Sequence, residues 1–237
     1  MLNIGLYVDD NDRNQWKSSC RIGIVNYNAK YNDKYLCTNR CITCVRNGKA
    51  ISDGLFIEKI TSEKVFINKI KEFLYSSNIS EVVFTGIPRG EPLLDHVTIC
   101  NLLGMLKENN IKIYSRVNSG YNLNSYTFDI LNELKLAGLT RVAITVNALG
   151  ENEYNFFCRP MIKNAYINYL NFIKDSYAVF GNTGMIVSYI DRGNAKVPIQ
   201  FQKYSFCEQE LRRYLCEILN IGNIKFKIVK RGYLGKI

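Results

Sequence analysis

SEKVFINKIKEFLYSSNISEVVFTG, from Ser62 to Gly86, first sets its apolar residues at helical spacing and then gathers them into the short run EVVFTG (Glu81 to Gly86). The first half reads as an amphipathic helix with Ser62 as its cap, the second as a buried strand. Working outward, the same unit recurs. Downstream lie a helix from Leu93 to Asn109, the strand IKIYSRV (Ile111 to Val117), the helix SYTFDILNELKLAG ended by Gly138, and the strand TRVAITVNA (Thr140 to Ala148). A helix through NAYINYLNFIKDS then precedes the strand TGMIVSYI (Thr183 to Ile190), and FCEQELRRYLCEIL precedes IKFKIVK (Ile224 to Lys230). Upstream, RIGIVNY (Arg21 to Tyr27) is strand-like, and the twenty residues before it show no regular pattern.

Six strands alternating with helices predict a parallel sheet with right-handed crossovers. A closed eight-stranded barrel takes about 250 residues and two further units. The expectation is therefore an α/β fold, an open partial (β/α)6 TIM-like barrel with a parallel sheet. It is read as one domain over residues 1–237, with a core from about 21 to 229, a short N-terminal extension 1–20 and a basic C-terminal tail 230–237. In barrels of this kind the loops after the strands carry the site. The loop after the first strand holds three of the eight cysteines.

No apolar run approaches the roughly 18 residues that a membrane span needs, and the N-terminus does not read as a secretory signal. A cytoplasmic protein without a membrane partner is expected. The net charge of +10 predicts attraction to anions: nucleic acid, nucleotides, phosphorylated metabolites or an acidic protein. The lysines are spread along the chain and fit solvated helix faces, with the densest basic stretch in the tail KFKIVKRGYLGKI. Cys100 and Cys216 sit at helical spacing among apolar residues and read as small core residues; Cys20, Cys158 and Cys207 have no role assigned by spacing.

The segment CTNRCITC places Cys37, Cys41 and Cys44 at C-x-x-x-C-x-x-C spacing on one loop, close enough to wrap three corners of one iron–sulfur cube. A cubane held this way has a fourth iron with no nearby cysteine, open to a substrate or cofactor. The competing reading is a zinc site completed by a distant Cys or His. Zinc modules favour paired C-x-x-C units, and the single histidine, His96, is far away in sequence.

With those residues in view, the loop resembles the signature of the radical S-adenosylmethionine superfamily. TNRCITCVRNG, FTGIPRGEPLL and TVNALGENEYNFFCRP look closer still to the TatD-linked radical SAM proteins, over about Arg21 to Val229. The resemblance implies a [4Fe-4S] cluster on Cys37, Cys41 and Cys44 whose open iron binds S-adenosyl-L-methionine. It further implies reductive cleavage to methionine and a 5′-deoxyadenosyl radical, with electrons from a low-potential donor such as flavodoxin or ferredoxin.

The resemblance also implies cofactor contacts. Gly90, Glu91 and Pro92 are similar to the family's GGEP-type motif, in which glycine backbone approaches the methionine moiety; Glu91 and backbone around Gly86 and Gly90 would accept its ammonium. Ile87, Pro88 and Arg89 lengthen the usual spacing, and Arg89 suits a carboxylate or phosphate. Asn118 and Ser119 match a polar position facing the cofactor, and Thr145 with Asn147 resembles an S-x-N ribose site whose two side chains share a strand face. Thr43 stands where an aromatic residue often precedes the third cysteine, so backbone contacts or apolar groups from Val187 and Ile228 are expected at the adenine. YNFFCRP (Tyr154 to Pro160) resembles a family motif without a derivable role. Within it Arg159 suits an anion, and Cys158 is either a hydrogen donor or anchor, or a half-buried thiol opening a helix.

The resulting expectation is an enzyme that abstracts hydrogen from an anionic substrate: a small nucleotide-like molecule, RNA or a partner protein. Two alternatives stay open, an activase for a glycyl-radical enzyme and a non-catalytic zinc or iron–sulfur module that binds nucleic acid. Nothing in the sequence identifies the substrate.

Overall fold

The computed structural model of the chain describes residues 2–9, 20–29, 31–32, 37–42, 58–76, 79–85, 90–123, 127–190, 192 and 199–231. Eight strands form one sheet: β1 (Ile4–Asp9), β2 (Cys20–Asn26), β3 (Glu58–Ile60), β4 (Ile79–Phe84), β5 (Tyr114–Ser119), β6 (Arg141–Val146), β7 (Met185–Ile190) and β8 (Lys227–Arg231). Their order is β3-β1-β2-β4-β5-β6-β7-β8. The six strands from β2 through β4 to β8 pair in parallel, and β1 pairs antiparallel with both β2 and β3. The edges β3 and β8 are not joined, so the α/β sheet is open, consistent with a partial TIM-like barrel.

The described helices are α1 (Glu63–Ser76), α2 (His96–Glu108), α3 (Thr127–Ala137), α4 (Glu151–Cys158), α5 (Ala165–Gly184), α6 (Ile199–Gln202) and α7 (Glu208–Leu219). Ser62 caps α1 as its position predicts, its hydroxyl accepting the Val65 N–H at 3.3 Å. Cys100 and Cys216 lie partly buried on α2 and α7 against the main core, as small apolar residues do.

Three local expectations need correction. Residues 4–9, read as part of an irregular extension, form β1; an antiparallel edge pairing has no strand–helix repeat to announce it. Helix α5 runs past Ser176 to Gly184, with Gly181 at φ +61° interrupting its final turn. The strand read over Ile111 to Val117 begins at Tyr114 and ends at Ser119, so Asn118 and Ser119 are strand residues.

Alternation divides the sheet into two unlike faces. Ile24, Phe84, Val117, Val142, Ile144 and Val187 are at most 2% exposed and join the helices in the main core. Burying each such side chain contributes roughly 1.5–3 kcal/mol. The alternate residues carry charge or hydrogen-bonding groups: Arg21 beside Glu81, Arg116 beside Arg141, Thr145 beside Ser188. A small separate cluster of Ala143, Ile186 and Val229 fills the middle of this inner face.

At its β1 side the inner face is closed by Tyr7, register partner of Gly23, whose ring lies flat over the glycine. A Cβ at position 23 would overlap the Tyr7 ring carbons. Gly23→Ala should therefore destabilise the protein by roughly 1–3 kcal/mol in urea unfolding. In a Tyr7→Ala background the penalty should largely vanish; an equal penalty in both backgrounds would mean that the ring is not the cause.

Candidate functional site

At the C-terminal edge of the parallel strands, the loop after β2 brings Cys37 and Cys41 forward, both half-buried. The Cys37 sulfur accepts the Asn39 N–H at 3.4 Å. Cys41 packs against the main core. Cys44 and Thr43 lie outside the described residues. Among the described residues no three His, Cys, Asp or Glu side chains converge.

The cysteine loop is clamped by the end of α4. Arg40 N–H donates to the Cys158 carbonyl at 2.9 Å and more weakly to that of Arg159 at 3.3 Å, while Ile42 N–H donates to Phe157 O at 2.8 Å. Met161 N–H returns a bond to Thr38 O at 2.9 Å, and Asn39 bridges to Pro160. Arg159 adopts the left-handed conformation, φ +46°, which turns the chain out of α4 and presents these carbonyls. That conformation costs a non-glycine residue about 1–2 kcal/mol, which the loop contacts offset. The YNFFCRP motif, whose role the sequence does not disclose, is the segment that holds the cysteine loop.

Beneath the clamp lies a polar hub. Asn122 is fully buried. Its Oδ1 accepts from the Thr38 hydroxyl at 2.6 Å, and its Nδ2 donates to Asn39 Oδ1 and to the Tyr154 hydroxyl, each at 2.8 Å. Asn168 on α5 donates to the Asn122 carbonyl at 3.0 Å. Burial, then the neighbouring Cys158 and Cys41, hold the Tyr154 hydroxyl well above the ordinary phenol range, so it stays protonated.

On the loop after β4, Gly90 has φ +70°, a conformation that favours glycine. Glu91 is 4% exposed. Its Oε1 accepts from the Ser119 hydroxyl at 2.7 Å and the Leu93 N–H at 3.1 Å, and its Oε2 from the Gly120 N–H at 2.9 Å. It braces the loop onto the end of β5, with Pro92 opening the 3-10 turn Pro92–Asp95. Asp95 continues the brace by capping α2 and accepting from Asn26 Nδ2 at 2.9 Å. Gly86, Ile87, Pro88 and Arg89 lie outside the described residues.

Asn118 shares a strand face with Ala143 across the β5–β6 register, and Thr145 and Asn147 follow on that face. Ser119 has the opposite parity and is spent on Glu91. Thr145 shares a hydrogen bond with Ser188 at 3.0 Å. The Oδ1 atoms of Asn118 and Asn147 are buried without a hydrogen-bond partner among the described residues. A buried acceptor left so costs about 1–3 kcal/mol. Two of them at the C-terminal edge fit a bound group bearing hydroxyl or ammonium donors, and the thiols of the loop fit an iron–sulfur cluster.

Val187 and Ile228 do not belong with them. Val187 pairs with Ile144 and Ile228 with Val187, and all three are on the helix-covered face, opposite Thr145. The Thr145 face carries Ser188 and Val229 at those strand positions, one residue later in each. Cys158 also differs from its expected setting: it is 2% exposed, closes α4 rather than opening a helix, and its sulfur lies 3.8 Å from Asn147 Nδ2. The Arg159 side chain is exposed.

The sequence reading missed Asn122 and Arg192. Arg192 follows β7, is 1% exposed, stacks on Phe157 with its guanidinium carbon 3.7 Å from the ring centre, and donates to the carbonyls of Asn147 and Tyr204. A charged residue directly after a strand was the available signal for it; Asn122 carried none.

Asn122→Ala should cost about 2–3 kcal/mol by leaving buried groups on Thr38, Asn39 and Tyr154 unpaired, while Tyr154→Phe, which removes one hydroxyl, should cost about 1 kcal/mol. Equal unfolding free energies for the two variants in denaturant titrations would show that Asn122 is not the hub.

No protein-family model and no curated protein matches the sequence. Among solved structures, the chain is similar to a cysteine-to-alanine mutant of spore photoproduct lyase, with 12% identity and a TM-score of 0.51 over 89% of this chain and 61% of that one. It is also similar to the same mutant with dinucleoside spore photoproduct, with 12% identity and a TM-score of 0.50 over 88% of this chain and 59% of that one. The chain thus covers less than two thirds of the length of either. At this identity the likeness shows a common fold, the open α/β barrel described above.

Proposed function

We propose that the chain is a radical S-adenosylmethionine enzyme, with Cys37, Cys41 and Cys44 as the ligands of a [4Fe-4S] cluster. The observation that carries the reading is the clamped cysteine loop beside two buried amide oxygens that have no partner among the described residues, at one edge of the sheet. The fold it shares with spore photoproduct lyase, a radical SAM enzyme, supports it. When bound, the reduced cluster and S-adenosyl-L-methionine supply a 5′-deoxyadenosyl radical able to take hydrogen from an unreactive C–H bond.

The residues divide the remaining work. The clamp from Phe157 to Met161 fixes the loop, and Asn122 with Tyr154 fixes the clamp. Asn118 Oδ1 and Asn147 Oδ1 accept hydrogen bonds from the ribose or the ammonium, with Thr145 beside them. Gly90 offers backbone at close approach, while Glu91 and Pro92 hold that backbone in place. Ser119 acts through Glu91. Thr43 and Gly86 keep the cofactor contacts that the family resemblance implies. Arg159, exposed at the clamp, suits an anionic substrate, and Cys158 lies close enough to Asn147 to act at the site's edge.

The excess positive charge favours an anionic substrate of nucleotide type. One of the similar spore photoproduct lyase structures holds a dinucleoside, in keeping with that class. The TatD-linked likeness rests on the motifs alone. A flavodoxin or ferredoxin would deliver the electron in a cytoplasmic setting; among the described residues no helix is long and apolar enough to cross a membrane.

Anaerobic reconstitution, dithionite reduction and S-adenosyl-L-methionine should yield 5′-deoxyadenosine from the wild type and none from Cys41→Ala. Asn147→Ala should bind S-adenosyl-L-methionine about tenfold more weakly, the equivalent of one lost hydrogen bond, with its iron content unchanged. Zinc in place of iron in the purified protein, or undiminished cofactor binding by the Cys41 variant, would overturn the reading.

A further inference from the structure

The proposed chemistry draws on two separate segments, the cysteine loop after β2 and the amide that follows β6. One buried cation touches the supports of both. Arg192, just past the end of β7, is 1% exposed. Its Nη2 donates to the carbonyl of Asn147 and its Nη1 to that of Tyr204 at 3.3 Å. The guanidinium lies over the Phe157 ring, its carbon 3.7 Å from the ring centre.

Each contact leads to a part of the candidate site. Asn147 is held at its carbonyl by Arg192, and its Nδ2 lies 3.8 Å from the Cys158 sulfur. That leaves its Oδ1, buried and with no partner among the described residues, available to a bound group. Phe157 is fully buried, and its carbonyl accepts the Ile42 N–H at 2.8 Å. The Ile42 side chain packs against the cluster of Phe157 and Phe201. The Phe157 ring therefore has the guanidinium over its face and the rings of Phe201 and Tyr204 in edge contact, with centres 5.9 and 5.3 Å away. A shift of the guanidinium would loosen Asn147 and the Ile42 end of the cysteine loop together.

The shape of the side chain matters. A planar fork can serve two carbonyls on diverging segments while its face stacks on an aromatic ring, whereas lysine offers a point charge on a flexible stem. Charged donors also make the stronger bonds to carbonyl oxygen.

We infer that Arg192 is a positioning residue for the proposed enzyme: it sets the Asn147 amide relative to the cysteine loop, and it acts on the cofactor through Asn147 and Phe157. The inference rests on the reading of Asn147 as a cofactor contact, so one arm of its test is independent of that reading. In cluster-free full-length protein, hydrogen–deuterium exchange is followed at Arg40 and Ile42, the two loop amides bonded to the end of α4. Arg192→Lys, which keeps the charge and should fold, should speed their exchange about tenfold and leave the amides between β4 and β5 unchanged.

The second arm measures S-adenosyl-L-methionine binding to the reconstituted protein. Arg192→Lys should weaken it about tenfold with the iron content unchanged, yet have little effect in an Asn147→Ala background, where the amide it positions is gone. Arg192→Ala should regain affinity with millimolar guanidinium chloride and not with sodium chloride, a rescue that a general loss of folding would not show. Unchanged exchange at Arg40 and Ile42, or an equal loss of affinity in both backgrounds, would overturn the proposal. A wild-type cluster that does not bind S-adenosyl-L-methionine would instead overturn the radical reading, and the exchange arm would still decide whether Arg192 holds the loop.

Discussion

Each strand of this sheet must satisfy two environments at once, because successive side chains point to opposite faces. The helices dry one face, and only apolar residues are stable there. The other face is released from that demand, and it is where the groups with chemical potential gather: the ion-pair cluster at one end, the amides and hydroxyls at the other. There Thr145 and Ser188 satisfy each other through a shared hydrogen bond, whereas the buried Asn118 Oδ1 has no partner among the described residues. The polar inner face is the constraint from which the candidate site follows.

The second dependence is the attachment of the cysteine loop. A loop that must present several thiols to one metal centre gains from having its geometry settled beforehand, since ordering each residue on binding costs about 1–2 kcal/mol of backbone entropy. Here the loop is joined to the end of α4 by main-chain bonds and to Asn122 by side-chain bonds. Asn122 is in turn fastened to α5 through Asn168. The loop's position is thereby set by the packing of two helices, and the left-handed turn at Arg159 is the strained element that this arrangement supports.

Much of this was legible in the sequence, for local reasons. The six parallel strands follow from the repeat of strand and helix periodicity, and the spacing of Cys37 and Cys41 sets both on one loop after β2. Thr145 and Asn147 could be placed on one face because a period of two is a strictly local property. Val187 and Ile228 came from the family resemblance, and the structure sets them on the helix-covered face; which residues of adjacent strands share a face depends on register, and register is fixed by non-local pairing. β1 escaped because its partners are β2 and β3, with no helical unit to mark it. Asn122 escaped because its importance lies in contacts to Thr38, Asn39 and Tyr154, all far from it in sequence. For Glu91, the resemblance implied a cofactor contact, whereas the structure shows the carboxylate engaged with Ser119, Leu93 and Gly120.

The central claim is that the clamped loop holds a cluster with one iron open to S-adenosyl-L-methionine. Electron paramagnetic resonance of the reconstituted, reduced protein tests this most directly, because a ligand binding to the open iron alters the cluster's own signal. The expected result is a [4Fe-4S]+ spectrum that changes on adding S-adenosyl-L-methionine. A fully formed cluster whose spectrum is indifferent to saturating cofactor would contradict it.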